Sequence, residues 1–464
     1  MRQYSRSGPC LAAADLDGEP GDEIFIGGSL NQAGSVWFQD ASGQYYPRQL
    51  LDSIYEDTDA IFIDVDNDKD LDLYVSSGGI EFSENSPNYA DRIYLNNGAG
   101  EFSLSTGVLP ELYASNACVR AIDIDHDGDL DLFIGGRITP DNYPKTPESS
   151  ILINNNGVYK KQENNDLSNL GMVTDAIWSD IDGDGWEDLL VVGEFMPIRV
   201  FKNHEGVLKK MSLTWLDKDD DKITTEGWWN CIEASDFDKD GDMDFIIGNQ
   251  GLNGYVKPSE NYPVYVYNQD FNKDGRLDPL LGQYFDFDGE KTLFPIHTKD
   301  DIKRQYPETV IHFYSYEEFA KITFKGLLKI EDLESETLKA TTFESSYVEN
   351  LGGGIFKVRS LPSALQLSPV NDFLVSDFDK DGQTDILAVG NDFTAESNYG
   401  QFDALTGLFI KTNGTDFEVI PSRNSGFYVP GQSNHMIKIT DKKGRDFVVS
   451  GQNNDRLKIF EFNR

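Results

Sequence analysis

An acidic nine-residue pattern recurs along this chain, and each copy runs straight into an apolar stretch. Asp123-Ile-Asp125-His-Asp127-Gly128 closes at Asp131, and Asp180-Ile-Asp182-Gly-Asp184-Gly185 closes at Asp188. Asp236-Phe-Asp238-Lys-Asp240-Gly241 closes at Asp244, and Asp377-Phe-Asp379-Lys-Asp381-Gly382 closes at Asp385. Asp270-Phe-Asn272-Lys-Asp274-Gly275 closes at Asp278, and Asp64-Val-Asp66-Asn-Asp68 closes at Asp72. A weaker copy, Asp15-Leu-Asp17-Gly-Glu19, closes at Glu23, and a decayed one lies between Asp441 and Asp446. Oxygen-bearing side chains therefore stand at positions 1, 3, 5 and 9, usually with glycine at position 6.

Turns favour Asp, Asn and Gly, but they do not require an acid at four fixed positions. Four carboxylates in one short loop repel one another unless a cation sits among them. An all-oxygen donor set suits a hard divalent ion, calcium above all, and the carbonyl at position 7 can join it. Glycine at position 6 permits the sharp bend around the ion. An EF-hand would end in Glu at position 12 between helices; here the loop ends at position 9 between strand-like runs such as "ACVRAIDI" and "LDLFIGG". The expectation is a set of about five to seven Ca²⁺ ions. The loops at 64 and 15 fit least, with Lys69 and Pro20 in the glycine position.

Loop starts at 15, 64, 123, 180 and 236 give a period of about 50–60 residues, which signals a repeat architecture. Hairpins follow: "VWFQDASGQYY", "IYLNNGAGEF", "ILINNNGVYK", "VFKNHEGVLK" and "FIKTNGTDFEV". Asn/Gly centres between alternating apolar residues mark tight β-turns. One unit is thus strand, acidic loop, strand, connector, strand, turn, strand. Four-stranded units repeated around an axis make a β-propeller.

These repeats resemble FG-GAP/VCBS repeats, the type in the integrin α-subunit propeller. The chain is similar in particular to bacterial secreted relatives of cartilage acidic protein 1. Beyond the acidic loops, the resemblance includes "GGRITPDNYPKTPESS", "FPIHTKDDIKRQYP" and "NLGGGIFKVRSLPSALQLSPV".

The fold expected is all-β: a seven-bladed β-propeller, or alternatively an eight-bladed one, of four-stranded blades. It spans residues 1–464 as a single domain closed by an N-terminal strand drawn from residues 1–7, as the resemblance implies. The loop at 270 follows a tyrosine-rich run, "YPVYVYNQ", unlike the small-residue first strands "CLAAAD", "CVRAID" and "CIEASD". Residues 263–285 are therefore read as the outer hairpin of the fifth blade. Residues 287–341 are read as a helical insertion, with the hairpin at 342–360 assigned to it. Thr298 with Asp301 and Ser315 with Glu318 have helix-capping spacing.

Cys10, Cys118 and Cys231 each lie five residues before a first loop aspartate. They read as small buried fillers of non-neighbouring blades, not as disulfide partners. The same place holds Asp59, Asp175 and Asp372 in the alternate units. These acids either line the central channel or hydrogen-bond the start of the strand.

The long connectors would gather on the rim opposite the acidic loops, where binding usually resides. They carry Arg137, Asn142, Tyr143, Trp228, Trp229, Asn253, Tyr255, Asn398 and Tyr399 as candidate ligand contacts. Aromatics beside Asn and Arg suit a glycan or an exposed protein loop. A net charge of −40 argues against nucleic acid and anionic membrane as partners. No run has the length of a membrane span. The five histidines form no metal pair at helical or strand spacing, and there is no nucleophile elbow or phosphate loop.

The reading is a calcium-stabilised extracellular or cell-surface binding module, with no catalytic residue assigned. The alternatives are a lyase-like enzyme on extracellular polysaccharide and a purely structural repeat region of a larger surface protein. The N-terminal stretch has no signal-peptide core, so the chain is expected to be part of a longer one.

Overall fold

The computed structural model describes residues 8–462 apart from 51, 306, 308–314, 329–336 and 396–399. The architecture is all-β, built chiefly of antiparallel sheets in which consecutive strands lie side by side. In unit two, Asp57–Ile63, Asp72–Ser77, Arg92–Asn96 and Phe102–Leu104 pair in that order. Units one, three, four and six repeat the order. Unit seven has three strands among the described residues, ending at Lys458–Glu461. A closing strand from residues 1–7 lies outside the described residues.

The first strands are Leu11–Ala14, Asp57–Ile63, Ser115–Ile122, Met172–Ser179, Gly227–Ser235, Val370–Ser376 and Ser433–Thr440. Each packs against the first strand of the next unit, and Ser433–Thr440 packs back on Leu11–Ala14. The ring is also joined at that seam by hydrogen bonds. Asp22 N–H donates to Thr440 O at 2.8 Å, and Thr440 N–H donates to Asp22 Oδ2 at 2.6 Å.

The fifth unit departs from the sequence reading. Its second strand, Asp244–Asn249, pairs with Ser346–Asn350, which pairs with Ile355–Ser360. Its outer hairpin is therefore 346–360 and not 263–285, which corrects both hairpin assignments. Val264–Gln269 and Asp278–Phe287 instead belong to a separate four-stranded sheet with Glu290–Pro295 and Thr337–Ala340. Val264, Val266 and Leu281 on one face of that sheet share a core with Met172, Phe195 and Trp228 of the ring. On the other face, Tyr267 and Leu280 meet Ile302, Phe319, Phe324 and Leu327 from short helices. Those helices are Lys299–Gln305, Tyr316–Phe319 and Phe324–Leu327, and both expected caps form. Ser315 and Glu318 make a capping box, and Thr298 and Asp301 bond each other's backbone N–H. The tyrosines that set this strand apart in the sequence are explained by the helical layer they pack beneath.

The three cysteines are free and buried. Each sulfur fills a notch above a glycine of the adjacent strand. A Cβ on Gly27, Gly135 or Gly248 would lie 2.4, 2.7 or 2.5 Å from the sulfur of Cys10, Cys118 or Cys231. Small residues on both strands let the sheets converge at the axis.

Candidate cation loops and the connector face

The acidic loops of the ring units sit between first and second strands, so the ring carries them to one rim; the loop at 270 belongs to the separate sheet. Their shape is set by hydrogen bonds that recur from unit to unit. The position-1 carboxylate accepts from backbone N–H at positions 5 and 6, as Asp123 does from Asp127 and Gly128 at 3.0 Å each. Asp270 and Asp377 do the same in their loops. The position-5 side chain accepts from the N–H of position 7, as Asp127 does from Asp129 at 2.9 Å. Two residues per loop take a left-handed backbone. In the loops at 64, 123, 180, 236, 270 and 377 one is position 6, usually glycine, and the other is position 4, occupied by Gly183 or by Asn67, His126, Lys239, Lys273 and Lys380 with φ between 58° and 64°. Lys69 adopts φ 79° in the glycine position, so the loop at 64 keeps its shape at the cost of left-handed strain.

This geometry converges the acids. One oxygen each from Asp15, Asp17 and Glu23 lies within 4.8 Å of the others, and the same holds for Asp64, Asp66 and Asp72. It holds again for Asp123, Asp125 and Asp127, for Asp180, Asp182 and Asp188, and for Asp236, Asp238 and Asp240. Glu19, Asp68 and Asp184 stand beside these groups at position 5 of their own loops. Asp64 Oδ1, Asp236 Oδ1, Asp242 Oδ1 and Asp385 Oδ1 are buried and have no hydrogen-bond partner. A buried carboxylate oxygen without a donor is costly, and a cation would satisfy it. The residues present therefore fit a calcium ion. Positions 1, 3, 5 and 9 would hold it with the position-7 carbonyl, and the ion would supply the positive charge the loop lacks.

Position 9 differs in kind. Glu23, Asp72, Asp131, Asp188, Asp244 and Asp385 are 0–1 % exposed. In six loops this side chain accepts the N–H of position 2, for example Val65 to Asp72 at 3.0 Å. In four units one of its oxygens accepts the backbone N–H of an asparagine at the end of the third strand or just past it: Asn96, Asn154, Asn203 or Asn350. That asparagine's amide reaches back to the loop of the preceding unit, donating to the carbonyl of Leu16, Val65, Ile124 or Ile181. Its Oδ1 accepts from Gly100, Gly157, Gly206 or Gly352 in its own hairpin turn. One side chain thus ties a turn, a loop and a neighbouring blade together. The sequence reading saw these asparagines only as turn formers.

Burial pushes the position-9 carboxyls of units two to six up to about 6 and that of Glu23 up to about 7. Burial, and then the neighbouring acids, also raises Asp66, Asp125 and Asp238 at position 3. Two loops behave otherwise. The Lys202 ammonium bonds Asp182 and lies 2.8 Å from Asp184; that of Lys411 bonds Asp379 and lies 3.0 Å from Asp381. These amines hold Asp184 and Asp381 below the usual carboxylate range.

Five of the first strands carry a simple bulge at the start, skipping Thr58, Thr174, Asn230, Asn371 and Asn434. Bulges re-aim side chains, and these residues line an axial cavity of about 200 Å³. Asn230 donates to Val370 O, and Asn371 to Ser433 O, each bonding the next unit. Asp59, Asp175 and Asp372 line the same cavity and also cap backbone. The N–H groups they accept are Val119, Ile232 and Met436 of the following unit, so both expectations for these acids hold. Arg120 bridges Asp59 and Asp175. His435 and Glu233 were not singled out by position, and both sit in or beside this cavity.

The connectors gather on the opposite rim. Arg137 and the Tyr143 hydroxyl both bond the buried Glu194, at 2.7 Å each. Asn142 Oδ1 accepts from Leu277 N–H. Trp229 is 1 % exposed, donates to Thr225 O and packs in the core between units four and five, so its side chain does not face the rim surface. Tyr143, Trp228 and Tyr255 meet around one apolar cavity with Val256, Phe343 and Phe402, and Asp392 lies at its edge. Tyr255 is 58 % exposed, and Asn253 is exposed beside it. Asn398 and Tyr399 lie outside the described residues. Among the described residues no helix is long and apolar enough to cross a membrane.

A family model described as FG-GAP-like repeat matches residues 82–134 and 180–247. The chain carries FG-GAP-like repeats. The matched stretches contain the loops at 123, 180 and 236. No curated protein matches the chain. Among solved structures it is similar to an Agrocybe aegerita lectin described as recognising non-reducing terminal N-acetylglucosamine. That pair shares 13 % identity over 89 % of this chain and 80 % of the lectin, with a TM-score of 0.45. It is also similar to the Dos1 propeller, at 9 % identity over 100 % of this chain and 94 % of that one, with a TM-score of 0.45. A third is the V. cholerae biofilm matrix protein Bap1, at 11 % identity over 100 % of this chain and 89 % of that one, with a TM-score of 0.35.

Proposed function

We propose that the chain is a calcium-stabilised seven-bladed FG-GAP propeller that binds a glycan or an extracellular protein through its connector face. The resemblance to relatives of cartilage acidic protein 1 is part of the same proposal. The closed cycle of first strands supports seven blades, with the sheet at 264–340 an appendage of the ring. Weak calcium loops suit the millimolar calcium outside cells, which supports an extracellular or cell-surface location.

One observation carries the binding reading. Two connectors and the first strand of the fifth unit bring Tyr143, Tyr255 and Trp228 to a single cavity on a scaffold whose other rim is committed to the acidic loops. Aromatic faces with nearby polar groups are common anchors for ligands. The test is a glycan array alongside a pull-down against extracellular proteins, repeated with Tyr255→Ala. Tyr255 is exposed, so the change leaves the core intact. A hit lost in the variant supports the reading. A hit that survives unchanged, or no hit in either assay, overturns it.

A further inference from the structure

Two of the acidic loops already contain a cation. Lys202 stands on Arg199–His204, one residue before Asn203. Lys411 stands on Leu408–Asn413, opposite the position-9 Asp385 and one residue before Thr412. Both ammoniums contact the acids at positions 3 and 5 of their own loop. Nothing in the strand demands lysine there. The matching residue is Leu95 in unit two, Ile153 in unit three and Glu349 in unit five. Among the described residues, no lysine or arginine pairs with the position 1, 3 or 5 acids of the loops at 64, 123 and 236. The loop at 377 also keeps an unmet demand. Asp385 is 0 % exposed, its Oδ2 takes the N–H groups of Phe378 and Asp379, and its Oδ1 has no partner.

We propose that Lys202 and Lys411 are tethered counter-ions that occupy the cation position of their loops, dividing the loops into metal-preferring and lysine-held classes. The proposal rests on the calcium reading above. A metal entering the loop at 180 or 377 must displace an ammonium from two carboxylates, or bind beside a like charge. At about 4 Å in water-like surroundings one unit charge changes the affinity for a divalent ion by roughly thirtyfold, and more where the loop is shielded. These loops therefore fill last as calcium rises. Without metal they are the rim's most stable segments, because their acids remain paired.

The loop at 180 carries its own reporter. Trp186 occupies position 7, and its indole stacks on His126 of the preceding loop at 4.0 Å. Terbium, an oxygen-seeking stand-in for calcium, would be sensitised there, and Trp186→Phe isolates that signal. Lys202→Met keeps the apolar stem and removes the charge. The expected result is a terbium midpoint for the Trp186 signal at least about thirtyfold lower in Lys202→Met than in the parent protein. Melting should cross over as well. In chelator the variant should melt below the parent, and in saturating calcium at or above it. An unchanged midpoint, or equal destabilisation with and without calcium, overturns the proposal while other loops still bind. If calorimetry finds no calcium binding in either protein, the calcium reading and this proposal fall together.

Discussion

Asn154→Ala tests whether the asparagine staples, and not only strand pairing, hold neighbouring blades together. Asn154 is 1 % exposed. Its amide donates to Val65 O at 3.0 Å across the blade boundary, and its Oδ1 accepts from Gly157 N–H at 2.9 Å. The backbone bond from Asn154 N–H to Asp131 is unaffected by the substitution. Truncation leaves one buried carbonyl and one buried N–H without partners, each costing about 1–3 kcal/mol. A loss of roughly 3 kcal/mol is expected after partial relaxation. Urea unfolding followed by tryptophan fluorescence reads this as a lowered midpoint with an unchanged slope. Asn154→Asp keeps the acceptor but removes the donor and adds a charge beside Asp131, so it should cost at least as much. A loss under about 0.5 kcal/mol for Asn154→Ala would refute the staple, since that is the size expected of an ordinary surface change.

Glu56 tests the electrostatics away from the loops. It accepts from Leu30 N–H, and burial pushes its carboxyl from 4.5 up to about 7. A carboxyl raised in the folded state costs nothing below its unfolded value of 4.5, and the cost accumulates as pH rises from there to about 7, above which it is constant. Glu56→Gln should therefore match the parent near pH 4 and gain on it by about 3 kcal/mol by pH 8, read by urea midpoints; a constant difference across pH contradicts this. Gly135→Ala should cost about 1–3 kcal/mol by overpacking against Cys118 and Val173. Adding Cys118→Ala should recover part of that loss if the sulfur–glycine notch is the cause, whereas additive losses would show that it is not.

The repeating acids and Asn/Gly turns made the four-stranded unit and the ring legible, because each loop needs specific residues at fixed positions. The fifth unit was misread because its outer hairpin, 346–360, is separated from its second strand by about a hundred residues, and a nearer hairpin had the right local pattern. Local periodicity cannot choose between two hairpins; packing does, and the tyrosine-rich sheet found its partners in helices. The loop ligands were legible as a set. The division of labour within them was not, because position 9 is set apart only by its bonds to backbone and asparagine in three dimensions. Lys202 and Lys411 were missed for a related reason: the signal is one residue of the third strand, roughly 20–30 positions from the acids it meets. On the connector rim, Trp228 and Trp229 are adjacent in sequence, yet one lines a cavity and the other is core, since neighbours on a strand face opposite ways.

The central claim is that cations held by the acidic loops stabilise the ring, and melting in chelator against 5 mM calcium tests it most directly. A site with a dissociation constant near 0.5 mM adds about 1.4 kcal/mol at that concentration, so about five sites add roughly 7 kcal/mol. For a chain of this length, about 1 kcal/mol corresponds to about one degree. The account predicts a rise of several degrees in calcium; a shift below about one degree would contradict it.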